Sequence, residues 1–313
     1  RDDRWGRTYE SYSEDQEIVS SYAVAFVEGM QGALSTTFLD ESKVIATAKH
    51  FVGDGGTDYG EDQGNTCCDE KELYQLHGRS YSLAICAGVQ SVMASFNSWH
   101  GEKLHGHKYL LTDILKLRMG FDGVIVGDWN GHGQLPDGSN EDAAQAVEAG
   151  LDIIMVPEDW KAVYENLIRK VSAGEVALQR IDDAVSRILR MKLRYGLDFS
   201  TKPSDQPLSG QADLVGGDAH KNIGRQAVRE SAVLLKNEDN VLPIKSGQKV
   251  LVLGPAADSI AQQCGGWSLS WQGDGVTNED FPNATSIAAA IGSAVDETQG
   301  TVLRDLSEAG SAN

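Results

Sequence analysis

Basic residues are in short supply in this chain: 27 Lys and Arg stand against 46 Asp and Glu, a formal net charge of −19 over 313 residues. A surface of that sign repels phosphate backbones and anionic lipid headgroups, which argues against nucleic acid or an acidic membrane face as partner. It suits a neutral substrate and a secreted or halotolerant protein. Long apolar runs are also lacking. No segment approaches 18 uncharged apolar residues, so no membrane-spanning helix is expected. Cysteine is sparse, with Cys67, Cys68, Cys86 and Cys264 and no C-x-x-C pair, so zinc-finger spacing is absent. A Cys67–Cys86 or Cys68–Cys86 disulfide and free thiols are both compatible with this pattern. The opening residues Arg1-Asp2-Asp3-Arg4-Trp5-Gly6-Arg7 carry no signal-peptide pattern and begin without a lead-in, as a fragment would. What is present is enough apolar residue (41%) for a real core, length for two domains, and 34 glycines beside 7 prolines, which suits many tight βα turns.

The stretch Gly123-Val124-Ile125-Val126-Gly127-Asp128-Trp129 organises the rest. A continuous apolar run bounded by glycines predicts a strand buried on both faces, as in a parallel sheet. An acid where such a strand runs out is either a helix N-cap or a functional group, because binding and catalytic residues collect at the C-terminal ends of parallel strands. Three other segments repeat the pattern. Val44 to Ala48 predicts a strand ending in Lys49-His50-Phe51, Gly88 to Asn97 one ending in Phe96 and Asn97, and Gly150 to Pro157 a fourth. Helical spacing is found over Ile18–Gly32, Glu70–Ala87, Leu110–Met119, Glu141–Ala149, Lys161–Ser172 and Gln179–Tyr195. Strand alternating with helix predicts parallel βα units. Polar or aromatic residues at every strand end favour a barrel over an open sheet. The loop after His50, V-G-D-G-G-T-D-Y-G-E-D-Q-G-N-T, lacks the G-x-x-x-x-G-K-[ST] order, so it is not read as a phosphate cradle. Residues 201–220 read as a Pro/Ser/Gly/Asp-rich linker. A second α/β unit follows, with a helix over Asn222–Leu235, a strand over Lys249–Pro255 and a further helix from Ser286.

Four strings lie in order along the chain: R-D-D-R-W-G-R-T-Y-E-S-Y-S-E-D from Arg1, A-K-H-F-V-G-D-G-G-T around Lys49, G-F-D-G-V-I-V-G-D-W around Asp128, and C-G-G-W-S-L-S-W-Q-G around Trp267. Together they resemble glycoside hydrolase family 3, in particular its exo-acting β-glucosidases and glucan β-glucosidases. The resemblance implies an α/β protein: a (β/α)8-type, TIM-like barrel over residues 1–200, incomplete at its N-terminus, a linker over 201–220, and an α/β sandwich over 221–313, incomplete at its C-terminus. The active site is expected between the two domains. It implies that Asp128 is the catalytic nucleophile. Retaining glycosidases need one ionised carboxyl to attack the anomeric carbon and one protonated carboxyl to assist the leaving oxygen, roughly 5–5.5 Å apart. A nearby cation favours the charged form of a carboxylate, and Lys49 and Arg1 are the candidates. By the same resemblance Arg1, Lys49 and His50 bind sugar hydroxyls in the innermost subsite. Trp129 supports that subsite and Phe96 walls it. Trp267 and Trp271, four apart between glycines that disfavour a helical core pair, clamp a second sugar with apolar faces of pyranose size.

The implied activity is retaining, exo-acting hydrolysis of terminal non-reducing β-D-glucose from β-glucans or oligosaccharides, without cofactor or metal, and in a secreted or periplasmic protein. A β-N-acetylglucosaminidase of the same family is disfavoured, because its D-x-H pair is missing from the loop after His50. A non-catalytic carbohydrate-binding protein on this scaffold is the other alternative. The family's acid/base glutamate is expected beyond Asn313, since Glu279, Glu297 and Glu308 lack its context, and a sugar-gathering aspartate is expected upstream of Arg1. The 313 residues by themselves are therefore expected to be inactive or very weak on alkyl glucosides.

Overall fold

Strand β1 (Thr47–Phe51) pairs in parallel with β3 (Ser91–Ala94), and β3 with β6 (Val124–Val126), in the order β1-β3-β6. These elements belong to a computed structural model that describes residues 2–198, 200–297 and 301–303. The chain divides into two compact units, residues 1–212 and 213–313.

In the first unit, α1 (Gln16–Gln31) precedes β1. A short sheet of β2 (Asn65–Thr66), β4 (Ser98–Trp99) and β5 (Glu102–Lys103) lies beyond the strand ends. The crossover from β1 to β3 is helical, with α2 (Glu70–Glu72), a π-helical stretch Leu73–Gly78 and α3 (Arg79–Cys86). A second π-helical stretch, Tyr109–Arg118, leads to β6. Then come α4 (Ala144–Ala149), α5 (Trp160–Ser172) and α6 (Leu178–Arg194). The core lies where the sheet meets these helices. Val92, Ile125, Leu111 and Leu115 are fully buried, and the Phe51 ring meets Tyr81 edge-on at 5.0 Å. Burial of Val124 and Ile125 fits the two-faced burial that the apolar run implies. The second unit carries α7 (Asp218–Ser231), β7 (Lys249–Leu251), α8 (Ile260–Cys264), α9 (Ile287–Glu297) and β8 (Thr301–Leu303), with β7 and β8 parallel. No helix among the described residues is long and apolar enough to cross a membrane.

Two predicted strands differ from expectation, each because a side chain takes a backbone group out of the ladder. Residues 44–46 do not join the sheet. The Val44 N–H donates to the Met30 carbonyl, and the Ala46 N–H donates to the buried Gln31 side chain. The segment is thus tied to the end of α1, and β1 starts at Thr47. The expected fourth strand, Gly150–Pro157, is reduced to a bridge between Val126 and Ile153. The Ile125 N–H, which a regular ladder would give to a backbone carbonyl, is held at 2.9 Å by the Asp152 carboxylate. All four cysteines are free thiols, so neither disulfide pairing forms.

Asp152 is the centre of a buried ion cluster. Its side chain is fully buried and accepts from Lys116 Nζ at 2.7 Å and from Arg180. Asp183 on α6 receives Lys116, Arg180 and Arg187 in turn, and Arg187 also donates to the carbonyls of Phe121 and Gly123 at 2.8 and 3.0 Å. The helix is thereby clamped to the chain entering β6. A buried charge left without its partner is strongly destabilising. Asp152→Ala is expected to lower unfolding free energy by about 3–5 kcal/mol, read from urea midpoints. A change below about 1 kcal/mol would show that the cluster does not hold α6 in place.

Candidate active site

His50, at the C-terminal end of β1, and Asp128, two residues past β6, converge. His50 Nε2 lies 3.5 Å from Asp128 Oδ2, and both side chains are largely buried. The β1–β3 register is irregular between Ala48 and Phe51, so Lys49 and His50 occupy a bulge. Bulges re-aim side chains at the ends of strands. The Lys49–His50 and Phe51–Val52 peptide bonds are cis. On its far side, His50 Nδ1 lies 2.9 Å from Asp54 Oδ2. Arg7 Nη2 approaches His50 Nε2 at 3.5 Å. Arg7 is itself held by Glu10, with Nε–Oε1 at 2.7 Å, and stands 4.0 Å from Asp62. Burial works against the Arg7 charge, but the Glu10 bond and the charges of Asp54 and Asp62 outweigh it and raise its pKa above the ordinary arginine value.

Asp128 is fixed from below by a histidine. Its backbone N–H donates at 2.8 Å to Nε2 of His105, a side chain that is 1% exposed. The other ring nitrogen of His105 bonds the Ser95 backbone. Burial pushes the His105 pKa down from 6.5 to about 4, against the small opposing effect of that Ser95 bond. The ring is therefore neutral at ordinary pH, with Nε2 free to accept. Gly131 follows from this packing, because a Cβ there would stand 2.2 Å from His105 Nε2. The turn after β6 is also hung on the next segment: the Gly127 N–H donates to the Ile153 carbonyl, and Asn130 N–H to the Met155 carbonyl, both at 2.9 Å. Asp128 Oδ1 accepts the Trp129 N–H at 2.7 Å, and Oδ2 faces His50.

The remaining predicted residues are placed as follows. Lys49 is exposed beside His50 on β1. Phe96 is half-buried with its ring 5.6 Å from that of His105, and its carbonyl is held by Lys103 Nζ at 3.0 Å. Trp129 is exposed next to Asp128. Trp267 and Trp271 lie in the second unit, both exposed, with ring centroids 6.4 Å apart and planes tilted by 47°. They stand on a loop, tied by the Trp267 N–H to the Trp271 carbonyl at 2.9 Å, so a buried helical pair is excluded. Arg1 lies outside the described residues. Arg7, Asp54 and His105 were not singled out from the sequence. Arg7 stands in the same opening string as Arg1, Asp54 is four residues past His50, and His105 is an ionisable residue in the run between two predicted elements. None of the described residues forms a His/Cys/Asp/Glu cluster able to hold a metal ion.

Two family profiles cover most of the chain: the glycosyl hydrolase family 3 N terminal domain matches residues 1–191, and the family 3 C-terminal domain residues 232–312. The chain belongs to glycoside hydrolase family 3. It is 33% identical over 306 residues to the lysosomal beta glucosidase of Dictyostelium discoideum, covering 94% of this chain and 37% of that one. It is 31% identical over 303 residues to the periplasmic beta-glucosidase of Salmonella typhimurium, covering 93% and 38%. Among solved structures, an exo-1,3/1,4-beta-glucanase from a Pseudoalteromonas species superposes with a TM-score of 0.92 at 52% identity, over 97% of this chain and 38% of that one. The chain thus spans under two fifths of the length of these relatives.

The neutral His105 sets a pH dependence. The unfolded chain takes up a proton near 6.5, whereas the folded protein takes it up near 4. A depressed histidine pKa means that stability is complete above about 6.5 and is lost as pH falls toward about 4. The loss from this group amounts to about 3 kcal/mol. His105→Gln, which keeps an acceptor for the Asp128 N–H but cannot titrate, is expected to flatten the fall of the urea midpoint over that interval. An unchanged slope would contradict a buried neutral His105.

Proposed function

We propose that this chain carries the nucleophile of a retaining exo-β-glucosidase, which releases terminal non-reducing β-D-glucose from β-glucans or oligosaccharides. The observation that carries the proposal is the Asp128 carboxylate at the end of a buried parallel strand, with Oδ2 3.5 Å from His50 Nε2 and Arg7 adjoining. The parallel β1-β3-β6 sheet with its helices is read as part of a (β/α)8-type barrel, and the second unit as part of an α/β sandwich. Family membership and the likeness to an exo-1,3/1,4-beta-glucanase support both readings.

In the proposed reaction Asp128 Oδ2 attacks the anomeric carbon while a carboxylic acid protonates the departing oxygen. The C1–O bond breaks, and a glycosyl-aspartate forms with inverted configuration. Water then displaces Asp128 with a second inversion, so the β-configuration is retained. The backbone anchor to His105 fixes the attacking group before substrate arrives, which is the kind of preorganisation that raises rate rather than affinity. Lys49, His50 and Arg7 are proposed to bind the hydroxyls of the glucosyl unit, and Arg1 keeps its place as a further candidate. Phe96 and Trp129 would flank that unit. Trp267 and Trp271 offer two flat apolar faces suited to a pyranose ring. No cofactor or metal enters the scheme. The −19 charge disfavours nucleic acid or an anionic membrane surface as partner. A secreted or periplasmic location is proposed from the periplasmic relative. The N-acetylglucosaminidase alternative has no histidine in the loop after His50 to support it. The purely binding alternative has no observation here that favours it.

Stereochemistry tests the proposal. Proton NMR during cleavage of an aryl β-glucoside by the full-length protein is expected to show β-glucose as the first-formed anomer, with α-glucose appearing later by mutarotation. Initial release of α-glucose would contradict it. Asp128→Ala should lower kcat by at least about 10³-fold, as removal of a covalent nucleophile does elsewhere.

A further inference from the structure

Asp54 is a buried acid that the scheme above leaves without a task. It opens the short turn Asp54–Gly56 directly after β1, and its side chain is 8% exposed. A carboxylate that far from water is normally matched by a cation or several donors. Here Oδ2 meets His50 Nδ1 at 2.9 Å, and Oδ1 is buried with no hydrogen-bond partner among the described residues. Arg7 gives its Nε and Nη2 hydrogens to Glu10 and acts on Asp54 through its charge. Gly53 makes the approach geometrically available. Its φ of +95° is a left-handed conformation that suits glycine, and a Cβ there would lie 3.1 Å from Leu73 Cδ1 and 3.3 Å from Asn97 Nδ2. The loop is thus shaped to bring one carboxylate onto one ring nitrogen.

An ionised carboxylate only accepts, so the Nδ1 of His50 carries the hydrogen. In the neutral ring Nε2 is then a bare acceptor, and it is this atom that faces Asp128 Oδ2 and Arg7 Nη2, each at 3.5 Å. The opposite tautomer would aim an N–H at Asp128 Oδ2 and occupy the lone pair that has to attack. It would also remove the acceptor offered to a sugar hydroxyl.

We propose that Asp54 is a positioning residue that locks His50 as its Nδ1–H tautomer, so that Nε2 accepts a hydroxyl hydrogen of the bound glucosyl unit and leaves the attacking oxygen of Asp128 undonated. The inference rests on the reading of Asp128 as nucleophile, but its structural half does not. The tautomer of His50 is a property of the protein without substrate.

Two measurements on the full-length protein test it. In the first, nitrogen-15 NMR of histidine-labelled protein is expected to show the His50 proton on Nδ1 in the wild type and on Nε2, or divided between the two, in Asp54→Ala. A wild-type proton on Nε2 would overturn the proposal whatever Asp128 does. In the second, kinetics on an activated aryl β-glucoside are compared for Asp54→Ala, His50→Ala and the double variant. Asp54→Ala is expected to lower kcat/KM by about 10²-fold, the scale of a misplaced contact group. Because Asp54 acts through His50, the double variant should be no worse than His50→Ala alone. Independent, multiplying losses would assign Asp54 a separate structural role and overturn the proposal. The isosteric Asp54→Asn, which can still accept from Nδ1–H, should recover part of the lost rate. No recovery in a variant that folds with wild-type stability would count against it. A correct tautomer shift with no sign of attack by Asp128 would leave Asp54's effect on His50 standing and overturn the glycosidase reading instead.

Discussion

A neutral imidazole buried beneath the end of β6 is the contact on which this site depends. His105 accepts the Asp128 backbone N–H through one nitrogen and bonds the Ser95 backbone through the other, so it joins the ends of β6 and β3. Its ring also fills the space that a side chain at Gly131 would need. The consequence is rigidity where it matters. A carboxylate on a free loop would have to be ordered when it meets a ligand, whereas one anchored by its own backbone is ordered at folding. The histidine is able to do this because burial lowers its pKa to about 4. A charged ring would have no lone pair to offer Asp128.

Charge in the first unit is sorted into two places. One is the Asp152–Lys116–Arg180–Asp183 cluster, which ties α6 to the chain entering β6. The other is the group of Asp54, His50, Arg7 and Asp128 at the C-terminal ends of the strands. In the first, opposite charges are matched, as buried charge requires for stability. In the second, Asp128 presents a carboxylate oxygen to a histidine that is itself held by another acid. Ile125, in the middle of β6, is bonded to Asp152, and Asp128 follows two residues past the end of the same strand. The buried ion cluster and the proposed nucleophile are thus a few residues of backbone apart.

Much of the α/β arrangement was legible because burial writes itself into spacing. The run Val124–Val126 lies between two glycines and became a strand buried at Val124 and Ile125. The helical spacing from Ile18 became α1, although Ile18, Tyr22, Phe26 and Met30 are exposed there and it is Ser20, Val27 and Gln31 that are buried. The strand predicted at 44–48 starts only at Thr47, and the one at 150–157 is reduced to a bridge, for a common reason. Gln31 and Asp152 supply side-chain partners to backbone groups, and periodicity holds no record of long-range side-chain bonds. The site was legible in the same uneven way. Asp128 and His50 stand where strands run out, a position with a physical meaning. His105 does not: it lies between elements, and nothing local tells a buried acceptor from a surface ring. Arg7 and Asp54 needed the fold of two loops to bring them to His50, and the Gly53 turn that does so is visible in sequence as nothing more than another glycine.

Covalent attack by Asp128 is the central claim. Incubation of the full-length protein with a 2-deoxy-2-fluoroglucoside bearing an activated leaving group, followed by proteolysis and mass spectrometry, tests it most directly. The expected result is stoichiometric inactivation with the fluoroglucosyl mass on a peptide containing Asp128 and localised to that residue. Labelling of a different carboxylate, or tight binding with no covalent adduct, would contradict it.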